Sequence, residues 1–166
     1  MNNKKKLNVL LSILVLTVIL ALSVTVFAVA CKPEEAPISE EPFEITIMFI
    51  DKENAVLKNE KIEVKGGYLE AALVSLVKGS EGKLEFASST SMYGAMIKSF
   101  TIDGSTYGTE EKEWIAIYHD DSDNYNTAWG SVTIDEKLYC SSTLGVSMLP
   151  VKEGKTYIFS VEVFEG

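Results

Sequence analysis

The sequence predicts an α+β domain: a sheet with one amphipathic helix laid across a face. Three observations predict it. Two runs alternating at period two are separated by turn residues, the hydrophobic period then switches once to three and four, and short alternating runs fill the rest of the chain.

The elements follow in order. Phe43, Ile45, Ile47 and Phe49 alternate with Glu44, Thr46 and Met48 as far as Ile50-Asp51, the pattern of a strand with one face buried. Glu60 to Lys65 alternates as well, with Ile62 and Val64 inward. Asp51-Lys52-Glu53-Asn54 supplies turn chemistry between them, so the two runs form a hairpin. Leu69, Ala72, Leu73, Leu76 and Val77 then make one helical stripe, opened by Gly66-Gly67 and closed by Gly79. Strands are expected over Met96–Ile102, ending at the Asp103-Gly104 turn, over Trp114–His119 and over Ser131–Tyr139. A last strand runs from Lys155 to Phe164, with Tyr157, Phe159, Val161 and Val163 alternating. No repeat of about 20 to 50 residues is present, which excludes a solenoid.

The first thirty residues are an address. Lys4, Lys5 and Lys6 precede an apolar run from Val9 to Ala30, and the segment ends Ala28-Val29-Ala30-Cys31. Small side chains before a cysteine suit lipoprotein signal peptidase, and the Cys31 thiol would carry a diacylglycerol. The expected organisation is a signal peptide over 1–30, an acidic proline-rich tether over 31–42, and one domain over 43–166. Ordinary secretory cleavage after Ala30 fits the same residues, and so does an uncleaved membrane anchor. All three place the domain on the extracytoplasmic side of a membrane.

Charge narrows the function. The chain has 15 Lys+Arg against 24 Asp+Glu, and no arginine. Three lysines and no acid precede Cys31, so the remainder carries 12 lysines against 24 acids, a net charge of −12. Nucleic acid binding requires a basic face and is excluded. With Cys31 assigned to lipid, Cys140 stands alone, which leaves no disulfide framework and no Cys/His zinc spacing.

Several phrases match a family. These are Tyr68-Leu-Glu-Ala-Ala-Leu73, the run Met92-Tyr-Gly-Ala-Met-Ile-Lys-Ser-Phe-Thr-Ile-Asp-Gly104, the strand Trp114-Ile-Ala-Ile-Tyr118, and the closing run from Leu144 to Phe159. The chain resembles the bacterial relatives of the transcobalamin C-terminal domain, exported lipoprotein domains of unassigned function. In that family the tryptophan strand runs into a short Asn-Gly turn. Here it runs into His119-Asp-Asp-Ser-Asp-Asn-Tyr-Asn126 and a longer excursion to Cys140. The resemblance implies a β-grasp-like domain that captures a ligand outside the cell, a corrinoid in the vitamin B12 carriers and a metal in other relatives.

Candidate site residues follow from their own chemistry. Ser75-x-x-Lys78, Ser122-Asp-Asn124 and Lys155-Thr156 occur in the order used by penicillin-binding enzymes, but Tyr157 stands where the third motif needs glycine. The chain is read as no enzyme. Asp120, Asp121 and Asp123 could offer oxygens to Ca²⁺, although Tyr125 and Asn126 break the EF-hand order; the other reading is a solvated hairpin loop. Tyr93, Tyr118, Tyr125 and Trp129 are the expected ligand-binding residues, because Tyr and Trp offer flat area with a polar tip. Alternation turns Trp114 inward, into the core. The expected function is a membrane-anchored ligand-binding module that serves a transporter, without a resident cofactor. The alternative is a surface module whose partner is a protein or the cell wall.

Overall fold

The computed structural model describes residues 36–164. The expected signal peptide and Cys31 lie outside the described residues. Nine strands and one helix follow in order: β1 (Ile38–Ile50), β2 (Val56–Gly66), α1 (Leu69–Gly79), β3 (Leu84–Ser91), β4 (Gly94–Ile102), β5 (Ser105–Tyr107), β6 (Glu113–His119), β7 (Tyr125–Ile134), β8 (Lys137–Ser142) and β9 (Thr156–Val163). The described residues are thus mostly β-sheet with one short helix, an α+β arrangement. No helix among the described residues is long and apolar enough to cross a membrane.

Six strands form one sheet in the order β2-β1-β9-β6-β8-β7, and β3-β4-β5 form a second. The first and last strands pair in parallel, from Thr46↔Thr156 to Ile50↔Ser160; every other pairing is antiparallel. This central position explains why alternation fades at the end of β1. Ile45, Ile47 and Phe49 face the main core, while Met48 and Ile50 face a smaller cluster on the opposite side. Phe49 is fully buried and stacks on Phe86 and Phe159, with Phe100 tilted against it.

The main core lies between the six-stranded sheet, α1 and the second sheet. Leu69, Ala72 and Leu73 of the helix, Leu84 of β3, and Ile97, Phe100 and Ile102 of β4 close over Ile115, Ile117, Tyr157, Phe159 and Val161. The helix has no side-chain cap at Tyr68. Its first orphan amides donate instead to the 143–150 loop, Leu69 N to the Leu149 carbonyl at 2.9 Å and Glu70 N to the Val146 carbonyl at 2.9 Å.

Some boundaries and elements differ from the expected ones, β2 among them, which starts at Val56 and not at Glu60. β1 starts at Ile38, so the end of the expected tether is already strand, with an irregularity in its pairing between Ile38 and Phe43. The run Ser131–Tyr139 is not one strand: Asp135 and Glu136 adopt φ of 48° and 64° and reverse the chain between β7 and β8. Two successive positive φ values are what a tight two-residue hairpin demands. Finally, β3 and β5 escape the hydrophobic pattern because they form a satellite sheet and bury few side chains.

Candidate functional site

The β-ladder between β6 and β8 stops early, and a cleft opens where it stops. β9 pairs with β6 along its whole length, from Glu113↔Val163 to His119↔Tyr157. β8 pairs with the other edge of β6 only at Tyr118↔Ser141 and His119↔Cys140. Beyond that point residues 141–144 form the far wall of a cavity of about 250 Å³, whose near wall is Trp114, Ala116 and Ile117. Tyr93 and Met96 close one side and Trp129 another.

Each aromatic is placed by a specific local device. Tyr93 sits in the turn between β3 and β4, where its carbonyl accepts from Gly145 N at 2.6 Å. Val146 N donates to Ala95 O at 2.8 Å, and Ala95 N donates to Ser147 Oγ at 2.7 Å, which clamps this turn onto the 143–150 loop. Gly145 permits the clamp, since a Cβ there would lie 2.4 Å from the Ala95 carbonyl oxygen. Trp129 rides on an excursion of β7: Asn126 pairs with Ser141 and Ser131 with Cys140, so residues 127–130 bulge away from the ladder. Trp129 is 55% exposed as a result. Trp114 begins β6 and stacks on Phe164 with ring centroids 5.8 Å apart.

The cleft therefore joins two of the four expected ligand-binding residues, Tyr93 and Trp129. Tyr118 is buried and does not line the cleft, its hydroxyl donating to Glu162 Oε1 at 3.0 Å. Burial, with the Glu162 charge beside it, pushes that phenol well above its ordinary pKa. Tyr125 packs on His119 with centroids 6.1 Å apart and does not line the cleft. Trp114 takes its place. Alternation assigns it to the core, yet the early end of the β6–β8 ladder leaves it at the opening, 36% exposed.

The polar lining consists of Ser141, Ser142 and Thr143, and no charged side chain lines the cavity. Two of these hydroxyls already donate within the fold, Ser142 Oγ to Leu144 O at 2.7 Å and Thr143 Oγ1 to Asn124 O at 3.0 Å. Ser142 Oγ also accepts from Leu144 N at 3.1 Å, so Thr143 Oγ1 keeps the larger spare acceptor capacity. Larger grooves border α1. One of about 360 Å³ runs against β2 and includes Lys58, Glu60, Glu81 and Lys83; another of about 330 Å³ runs against Phe86 and Ile97. Neither carries an indole, and the first holds the Lys58–Glu60 ion pair at 2.7 Å.

The acidic stretch after β6 is a lysine-neutralised corner. Asp120 accepts from Lys137 Nζ at one oxygen and from Thr156 N at the other, 3.0 Å away. Asp121 is buried; its Oδ1 accepts from Lys152 Nζ at 2.7 Å and its Oδ2 from Asn124 Nδ2 at 2.7 Å. Asp123 shares the same Lys152 at 2.7 Å. Burial works to raise the Asp120 and Asp121 carboxyls, but these hydrogen bonds outweigh it and hold both below their ordinary pKa. The three carboxylates are thus engaged by lysines and amides, and among the described residues no group of His, Cys, Asp and Glu is arranged to hold a metal ion.

His119 closes the corner from inside. It is fully buried, and its Nδ1 accepts from Asp121 N at 3.2 Å. Burial holds its pKa below the ordinary value, although Asp121 opposes the shift. Cys140 is likewise buried, in β8.

No family model matches the chain, and no curated protein matches it. Among solved structures, the chain is similar to a protein of Ruminococcus gnavus ATCC 29149 named a "putative metal binding protein". The two share 16% identity with a TM-score of 0.47, over 74% of this chain and 98% of that one.

Proposed function

We propose that this protein is a lipid-anchored, extracytoplasmic, non-enzymatic binding module that holds its ligand at the cleft between β6 and β8. One observation carries the reading. Tyr93, Trp114 and Trp129 share one cavity of about 250 Å³ that no charged side chain lines, on a chain with net charge −12 beyond Cys31. Indole and phenol rings in a neutral opening suit a flat, uncharged surface. The volume falls just below the ~300–1,000 Å³ of pockets that enclose a whole small ligand. The cleft accordingly takes one ring or side chain, and the remainder of the ligand rests on the rim, where Met92 and Tyr93 are exposed.

The lipid anchor rests on the Ala28-Val29-Ala30-Cys31 signal. Support for a β-grasp-like fold comes from the hairpin-helix order and the parallel pairing of β1 with β9. The resemblance to the transcobalamin C-terminal relatives makes a corrinoid the first small ligand to try, gripped by one edge and passed to a transporter. The non-enzymatic reading rests on the sequence, in which Tyr157 stands where a penicillin-binding motif needs glycine.

Thermal unfolding of the full chain in detergent, with corrinoids, cell-wall sugars, peptides and Ca²⁺ added in turn, tests the proposal. A ligand at a hundred times its Kd should stabilise the fold by about 2.7 kcal/mol. Trp129→Ala should unfold at the wild-type temperature and lose that shift. A ligand that stabilises wild type and variant equally would remove the cleft from consideration.

A further inference from the structure

We infer that the groove between α1 and β3 is a second binding site, for a short apolar peptide of three or four residues with free termini. The site is separate from the cleft at β6 and does not depend on it. Val74 and Val77 of the helix form one wall of this groove and Phe86 and Ser88 of β3 the other, with Ile97 and Val146 completing the lining. Its volume of about 330 Å³ lies within the ~300–1,000 Å³ of pockets that hold small ligands. The walls are reachable: Val74 is 47% exposed, Ser88 is exposed, and Val77 and Phe86 are half-buried. Both ends are fixed by the fold. Ser80 turns the chain from α1 into β3, its carbonyl accepting from Lys83 N at 3.1 Å and its hydroxyl from Leu84 N at 3.0 Å. At the other end Glu70 N donates to Val146 O at 2.9 Å.

Charge selects the occupant. Glu70 and Lys78 are the charged residues of the lining, one in the first turn of α1 and one in the last. Each stands at the helix end that favours its sign. Neither makes an ion pair among the described residues. Their Cα atoms are about 12 Å apart along the helix axis, at 1.5 Å per residue. An extended chain advances about 3.3–3.6 Å per residue, so three or four residues cover that distance. The terminal ammonium of such a peptide meets Glu70 and its carboxylate meets Lys78. A fatty acid or a fatty amine satisfies one of the two charges, and a single amino acid is too short to reach both. Alternate side chains of an extended peptide point the same way, so two enter the groove, over the buried Leu73 and Ile97. The Ser88 hydroxyl, which can donate and accept, faces the peptide amides between them.

The test is calorimetric titration of the full chain, held in phosphatidylcholine nanodiscs, with valyl-alanyl-valine and valyl-alanyl-valyl-alanine. Each peptide is used free, N-acetylated and C-amidated, against wild type, Glu70→Gln, Lys78→Gln and Trp129→Ala. The two glutamine variants change exposed side chains, and circular dichroism checks that they fold. The free peptides should bind wild type, and blocking either terminus should weaken binding about two- to fivefold, the scale of an exposed ion pair. Acetylation should make no difference to Glu70→Gln, and amidation none to Lys78→Gln. Added salt should weaken the free peptides more than the blocked ones. Trp129→Ala should bind them as wild type does. Absence of binding by both free peptides would overturn the inference, and so would blocked peptides that bind wild type as tightly as free ones. Binding lost in Trp129→Ala would place the peptide in the cleft instead, which overturns the groove and leaves the cleft reading standing.

Discussion

Lys152 places its Nζ 2.7 Å from Oδ1 of Asp121, bridging the loop before β9 to the loop after β6. Asp121 has only 4% of its side chain exposed, so this lysine compensates most of a buried charge. The same Nζ reaches Asp123, which makes one cation the keystone of the corner.

Replacing that cation should be felt in stability. Lys152→Ala is expected to cost about 1.5–2 kcal/mol, the lower part of the range for a hydrogen bond to a charged group, because Asn124 still holds the other oxygen. Urea unfolding should show a lower midpoint with an unchanged slope. Millimolar Ca²⁺ should leave the wild-type midpoint where it is, since lysines already engage the three carboxylates. A calcium-induced rise would contradict that account.

The buried imidazole predicts a pH dependence with a definite sign. His119 is held below its ordinary 6.5 in the fold, so the unfolded chain takes up a proton that the folded chain refuses. Its contribution is complete above pH 6.5 and lost as pH falls below it. Asp120 and Asp121, held below 3.8, add a second loss at lower pH. Denaturant midpoints measured from about pH 7 to 5 should fall for wild type and stay nearly level for His119→Phe. Parallel curves would show that His119 does not titrate in this way.

The two indoles should separate binding from stability. Trp129→Ala removes an exposed ring and should change stability by less than about 0.5 kcal/mol. Trp114→Ala also loses its stack with Phe164 and should cost about 1 kcal/mol. Both variants should abolish ligand-induced quenching of tryptophan fluorescence. If either retains it in full, the cleft has been drawn around the wrong rings.

Gly145→Ala should be among the costlier single changes near the cleft. The added methyl would meet the Ala95 carbonyl oxygen at 2.4 Å, and backbone cannot swing aside as a side chain can. Breaking the clamp between the 143–150 loop and the start of β4 is expected to cost about 1–3 kcal/mol, as for other overpacked sites. Tyr93 should lose its fixed position at the same time, so affinity falls with stability. Thermal unfolding and ligand titration of the one variant check both effects.

Much of the fold is legible because burial has a period. The hairpin, α1, β4, β6 and β9 are written in alternation or in a helical stripe, and the structure places each within a few residues of its expected limits. The site is less legible, for three physical reasons. Trp114 occupies a core-like alternating position, and only the early end of the β6–β8 ladder exposes it. The excursion of residues 127–130 has no hydrophobic period to announce it. Lys137, Lys152 and Lys155 come far along the chain from the aspartates they engage, so the acidic run reads as unpaired charge until the fold brings them together. Asp135-Glu136, by contrast, was accessible to inspection: a polar pair between two apolar runs is a turn signal, and it divides β7 from β8.

The parallel pairing of β1 with β9 has a mechanical consequence. Tension between the two termini pulls β1 toward its start and β9 toward its end, so the five register pairs from Thr46↔Thr156 to Ile50↔Ser160 are loaded in shear. They share the load and yield together, whereas a hairpin peeled from its open end gives way one rung at a time. The two ends of the described domain are therefore joined by a seam that resists being drawn apart along its strands.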